Sequence, residues 1–152
     1  MPQKLTCILI AFLLVGCDSG KTSTATGNTM QPFAPGQVWT YKTRPGEEAS
    51  RIVICRVETD PKLREIVHIH VNGVRLKNKH VPGGSSDQIG HMPYSGEALR
   101  KSLTKLESTG TALPAFEDGY QEWRSAFDKS KAGVWTAPVS EAVAGVESAL
   151  NQ

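Results

Sequence analysis

Runs of β-branched and aromatic residues in the first half of the chain predict β-strands. Residues 37–43 (QVWTYKT) and 50–58 (SRIVICRVE) have this composition, and Pro45 with Gly46 favours a turn between them. Residues 64–78 (REIVHIHVNGVRLKN) form a longer alternating run. The pattern predicts an antiparallel sheet built from neighbouring strands.

The dipeptide Asn72-Gly73 divides the longer run and is the strongest short-range signal for a β-hairpin. A two-residue turn fixes the strand register, and in that register one face is apolar and packs on the core. The opposite, polar face is the candidate partner-binding surface and contains His68, His70, Arg75 and Lys77. Its basic residues suit an acidic partner.

Apolar residues at helical spacing predict three helices in the second half of the chain. We expect the first to run from Ser95 to near Gly110, the second to begin about Pro114 and the third to follow Pro138. Residues 133–136 are typical of a returning strand. An aromatic stripe on the second helix is expected to cover the sheet and consists of Phe116, Tyr120, Trp123 and Phe127.

These elements predict an α+β fold. We expect a curved antiparallel sheet, or an SH3-like partial barrel, of about four or five strands followed by about two or three helices. Trp39 and Tyr41 belong to the core in this interpretation, although aromatic and basic residues together also suit a ligand groove.

The N-terminus indicates where the protein resides. Lys4 precedes an apolar run over residues 5–15, which is shorter than a membrane-spanning helix but typical of a secretory signal. The tetrapeptide Leu14-Val15-Gly16-Cys17 resembles the bacterial lipobox. That resemblance implies cleavage before Cys17, lipid modification of this cysteine with chains such as palmitate, and a periplasm-facing, membrane-anchored envelope lipoprotein. Asp18 favours the inner membrane.

Three segments follow from this interpretation: a signal peptide over 1–16, a lipidated cysteine and tether over 17–34, and one globular domain over 35–152. The tether is rich in Ser, Thr and Gly and spans roughly 20 Å. Removal of Lys4 with the signal lowers the net charge from +2 to +1. Such a balanced charge does not favour nucleic-acid binding.

Three groups of residues are candidates for a chemical function. Cys55 lies among apolar residues and is expected to be buried and unreactive. His68 and His70 have zinc-site spacing, but Arg75 and Lys77 would lie opposite them in the hairpin and repel a cation, so we expect no metal or other cofactor.

The third group is the predicted loop from His80 to Tyr94, which carries a hydroxyl, an acid and a base at Ser85, Asp87 and His91. Crowding in one loop does not provide the geometry of a catalytic triad, which rigid and distant elements assemble. We therefore assign no catalytic residue. A small envelope hydrolase that uses the His80–His91 loop remains the alternative hypothesis.

Residues 35–150 resemble small bacterial proteins of unknown function that share the opening of the domain, residues 35–48 (PGQVWTYKTRPGEE), and the resemblance implies no activity. The sequence favours a non-enzymatic binding module for a protein or envelope component, with an immunity or inhibitor protein as one concrete form.

Overall fold

The computed structural model describes residues 31–152, so the predicted signal peptide, Cys17 and most of the tether lie outside the described residues. The predicted α+β class is confirmed. The described strands form one open antiparallel sheet in the order β4-β3-β2-β1-β5. In chain order the elements are β1 (Val38–Tyr41), β2 (Arg51–Asp60), β3 (Arg64–Lys77), β4 (Ser85–Ser95), α1 (Gly96–Ser102), β5 (Leu103–Ser108), α2 (Glu117–Phe127) and α3 (Val139–Leu150).

Helices cover both faces of this sheet. The larger core lies on the side of α1 and α3, where Leu99 and Val143 pack against sheet residues that include Trp39, Ile54 and Ile69. A smaller core lies on the other side under α2. Its buried members are Cys55, Ile66, Phe116, Tyr120 and Trp123. The prediction that the aromatic stripe of α2 covers the sheet is therefore confirmed.

The predicted hairpin at Asn72-Gly73 is wrong, because β3 continues through both residues as one strand. Asn72 pairs with Arg51 of β2 and with Gln88 of β4, so neighbours on both sides hold the chain in the sheet. Gly73 uses its positive φ of 71° for a bulge instead of a turn. Pairing with two flanking strands outweighs the local turn preference.

The true connection between β3 and β4 follows Asn78, whose side-chain oxygen accepts a hydrogen bond from the amide of His80. Residues 85–94 were predicted as loop but belong to β4. That prediction relied on Gly, Ser and Pro as breakers, yet pairing with β3 orders the segment.

The first predicted helix is shorter than expected. It ends at Ser102, and the chain then extends into β5, which pairs with β1. Leu103 and Leu106 still pack on the larger core, but from a strand. The predicted strand at 133–136 is reduced to one bridge between Trp135 and Tyr94. Within residues 31–152, no helix is long and apolar enough to cross a membrane.

Candidate functional site

Two bulges flank the centre of β3 and direct polar side chains toward α2. From Ile54 to Arg56, β2 advances by two residues while its partner β3 advances by only one, which marks a bulge in β2. In β4 the segment between Ile89 and Met92 contains one residue more than its partner segment in β3. Both Ile89 and Met92 therefore pack on the larger core, while His91 faces α2.

These bulges bring three titratable side chains into one row: His68 is fully buried, while Glu58 and His91 at its two ends are partly exposed. The Nδ1 atom of His68 lies 2.9 Å from Nε2 of His91, and the two ring planes are inclined by only 14°, with their centroids 5.2 Å apart. On its other side, His68 Nε2 lies 3.6 Å from Oε2 of Glu58. The row runs from an ion-pair cluster, through the protein interior, to the surface beside α2.

Aromatic rings from α2 seal this row. The ring centroids of Tyr120 and Trp123 lie 5.0 and 4.8 Å from that of His68, and both rings pack edge to face with it. The helix approaches so closely because position 119 is glycine: a Cβ atom there would lie 2.8 Å from the Cβ of His91. The result is that His68 has no exposed surface.

Burial and charge set the protonation of the row. Burial lowers the pKa of His68 to about 4, against the opposing effect of Glu58, so this imidazole is neutral at pH 7. Burial tends to raise the pKa of Glu58, but the hydrogen bond from Tyr120 and the positive charge of Arg56 lower it overall. Glu58 is therefore an anion facing a neutral histidine.

His91 forms one wall of a cleft of about 640 Å³, which lies between the β4 bulge and the start of α2. This volume is in the range of small-molecule and peptide side-chain pockets. The opposite wall is mostly apolar, and Leu113 at its rim is 45% exposed. The lining includes His91, Leu113, Pro114, Phe116, Glu117 and Asp118.

The cleft borders a free strand edge. β4 is the last strand of the sheet, and among the described residues its outer side forms backbone hydrogen bonds only near its end, where Pro93 and Ser95 bind Trp135. The stretch before Pro93, which includes His91, pairs with β3 on its inner side and has no described strand on its outer side. Such an edge presents unpaired amide and carbonyl groups.

The four residues predicted as one polar surface do not form one. His68 is fully buried and His70 is 4% exposed, because α2 covers the face that the hairpin would have left to solvent. Arg75 and Lys77 are exposed, but they follow the bulge at Gly73 on the same strand and do not lie opposite the histidines. The cation-repulsion argument against a metal therefore fails. Independently, residues 31–152 contain no group of three or more potential ligands that could hold a metal ion.

The serine, aspartate and histidine of the alternative, hydrolase hypothesis are not brought together either. Ser85, Ser86 and Asp87 line a second depression of about 600 Å³ beside Arg75, whereas His91 lines the cleft and contacts His68. Cys55 is buried as predicted, and burial raises the pKa of its thiol to about 11. Trp39 and Tyr41 lie in the core, also as predicted.

Sequence reasoning missed Glu58 and the pairing of His68 with His91. Tyr120 could have indicated Glu58, because a buried tyrosine in the aromatic stripe needs a polar partner for its hydroxyl. In the structure this hydroxyl donates a hydrogen bond to Glu58. Comparison with known proteins finds no family model, no curated protein and no solved structure that matches this chain.

Proposed function

We propose that the protein is a lipid-anchored envelope binding module that holds an extended segment of a partner polypeptide in the cleft between β4 and α2. The lipobox at Leu14-Val15-Gly16-Cys17 supports anchoring through Cys17. Two or more acyl chains on one cysteine bind a bilayer durably, so the domain itself needs no membrane-binding surface.

The free edge of β4 beside an apolar wall is the observation that carries this proposal. An extended peptide can add to such an edge through main-chain hydrogen bonds, while alternate side chains enter neighbouring pockets. Here the pocket lies next to the edge, and Leu113, Pro114 and Phe116 provide apolar contacts. The same groove therefore offers both backbone pairing and side-chain selection.

The lining does not favour covalent catalysis. Among the residues that line the cleft there is no serine, threonine or cysteine to serve as a nucleophile. One observation favours the alternative of a small envelope hydrolase: His91, backed by His68 and Glu58, has the connectivity of a general base. A hydrolase would cleave a bound peptide, whereas a binding module returns it intact.

The cellular setting follows from the anchor. We propose that the domain faces the periplasm on a tether of roughly 20 Å, with Asp18 favouring the inner membrane. The partner is a protein or another envelope component that displays an extended segment, and an immunity or inhibitor protein is one form of this function. Nucleic acid and cofactors have no role in it.

Peptide titration calorimetry on the full-length chain tests this proposal. The probe is an acetylated and amidated peptide of about seven residues, alternating threonine and valine with one central lysine, which favours extended backbone. We expect one-to-one binding, and mass spectrometry should recover the peptide uncleaved.

Two matched variants locate the binding site. Leu113→Ser at the cleft rim should weaken binding about threefold or more, because burial of a whole leucine side chain contributes about 1.5–3 kcal/mol and 45% of this one is exposed before binding. Leu63→Ser is the control, since Leu63 is 38% exposed but lies in the turn between β2 and β3. Absence of binding, or equal effects of both variants, contradicts the proposal, and cleavage of the peptide favours the hydrolase.

A further inference from the structure

The surroundings of His68 determine which of its ring nitrogens carries the proton. A neutral imidazole has one N–H donor and one acceptor nitrogen. Nε2 of His68 has no hydrogen-bond partner and is buried, and the charged group it faces is the carboxylate of Glu58 at 3.6 Å. A proton on Nε2 is attracted to that carboxylate, while a lone pair there would be repelled. The proton therefore resides on Nε2, and Nδ1 is an acceptor.

The tautomer of His68 determines the tautomer of His91, because a hydrogen bond joins the two rings. Because Nδ1 of His68 is the acceptor in the 2.9 Å contact, Nε2 of His91 must be the donor. The remaining nitrogen of His91, Nδ1, then carries a lone pair. It has no hydrogen-bond partner among residues 31–152 and, unlike His68 Nε2, it is not buried from solvent.

We infer that Nδ1 of His91 is a hydrogen-bond acceptor that selects a basic side chain or amine of the bound segment, with His68 and Glu58 as positioning residues. The inference rests on the proposed function, since the donor belongs to the peptide in the cleft. The other acidic residues of the lining are Glu117 and Asp118, whose carboxyl oxygens are also hydrogen-bond acceptors.

The start of α2 does not oppose this selection. A helix N-terminus favours anions, but Glu117 and Asp118 stand in the first turn of α2 and already compensate the helix dipole. The nearest cations of the row, Arg56 and Arg124, are bound to Glu58 rather than to the cleft. The cleft thus combines an apolar wall with acceptor groups, which complements the aliphatic stem and charged end of a lysine or arginine.

The first test is the tautomer of His91, measured without ligand. Long-range 1H–15N NMR on the full-length chain at pH 7 distinguishes a protonated Nε2 from a protonated Nδ1. We expect protonated Nε2 and unprotonated Nδ1 in both His68 and His91. In Glu58→Gln the fraction of His91 protonated on Nδ1 should rise, whereas in the control Glu65→Gln, whose carboxylate pairs with Arg100, it should not. Protonated Nδ1 of His91 in the wild-type protein overturns the inference.

The second test compares the lysine peptide with one in which norleucine replaces lysine. Loss of a charge-assisted hydrogen bond should weaken binding about tenfold or more. In His91→Leu the ratio of the two affinities should fall toward one, to what Glu117 and Asp118 alone contribute. Equal binding of the two peptides to wild type overturns the selection by His91 but leaves the binding module standing. Failure of both peptides to bind overturns the proposed function and the inference with it.

Discussion

Mild acid should destabilise the folded protein because His68 must stay neutral in the interior. The side chain is fully buried beneath Tyr120 and Trp123, and hydration of its protonated form is lost there. In the unfolded chain the same imidazole binds a proton freely. Each proton taken up by the unfolded chain therefore shifts the equilibrium away from the folded state.

The structure sets the sign and size of this effect. Burial lowers the pKa of His68 from 6.5 to about 4, so between these two values the unfolded state binds more protons. Stability is fully present above pH 6.5 and falls as the pH decreases toward 4. Integrated over this shift, the free energy of unfolding should decrease by about 2 kcal/mol between pH 7 and pH 5. Burial also lowers the pKa of His70 and of His91, which adds loss in the same direction.

Urea unfolding at pH 7, 6 and 5 measures this change on the full-length chain. The carboxylate of Glu58 has a lowered pKa and keeps its charge at pH 5, so titration of this neighbour of His68 lies below the range measured. His68→Gln should reduce the slope with pH, and His80→Gln, at an exposed position, should not. Wild-type stability that stays constant from pH 7 to pH 5 would refute the reasoning, whether or not His68→Gln folds.

Three further outcomes are expected. Cys17→Ser should abolish labelling with palmitate and leave the precursor uncut, whereas Cys55→Ser should label normally; labelling of the Cys17 variant would disprove the lipid anchor. Iodoacetamide should modify Cys55 only after unfolding, as peptide mass mapping would show, because the thiol is buried and its pKa is raised to about 11; rapid modification in the native protein would contradict its burial. In urea titrations, Gly119→Ala should lower the free energy of unfolding by about 1 kcal/mol, because overpacking against His91 destabilises more than the helix preference of alanine stabilises. Gly133→Ala is the control and should change this free energy by less than ~0.5 kcal/mol, because the space around Gly133 is open.

The fold class could be predicted because several signals agreed over long segments. The aromatic stripe of α2 has a helical period and one partner surface, so its type and its covering role follow from spacing alone. Asn72-Gly73 misled because a dipeptide preference is local, whereas β3 gains backbone partners on both sides by continuing straight. The sequence does not record how many neighbours a strand will have.

The candidate site was hidden for a related reason. Each bulge shifts the alternation of side chains by one position, so the period of two that assigns strand faces fails at Arg56 and at His91. His68 then lies under α2, an element almost fifty residues away in sequence, and not in solvent. A simple alternation rule cannot locate an inserted residue before the pairing partners are known.

The most direct test of the binding cleft is hydrogen–deuterium exchange of the full-length chain with and without the lysine peptide. The two edge strands of the described sheet provide an internal comparison, since β4 borders the cleft and β5 lies at the opposite edge. We expect the peptide to slow exchange of amides in residues 85–92 of β4 and to leave residues 103–108 of β5 unchanged. Slowed exchange at β5 alone, or no change at β4 under saturating peptide, would contradict this expectation.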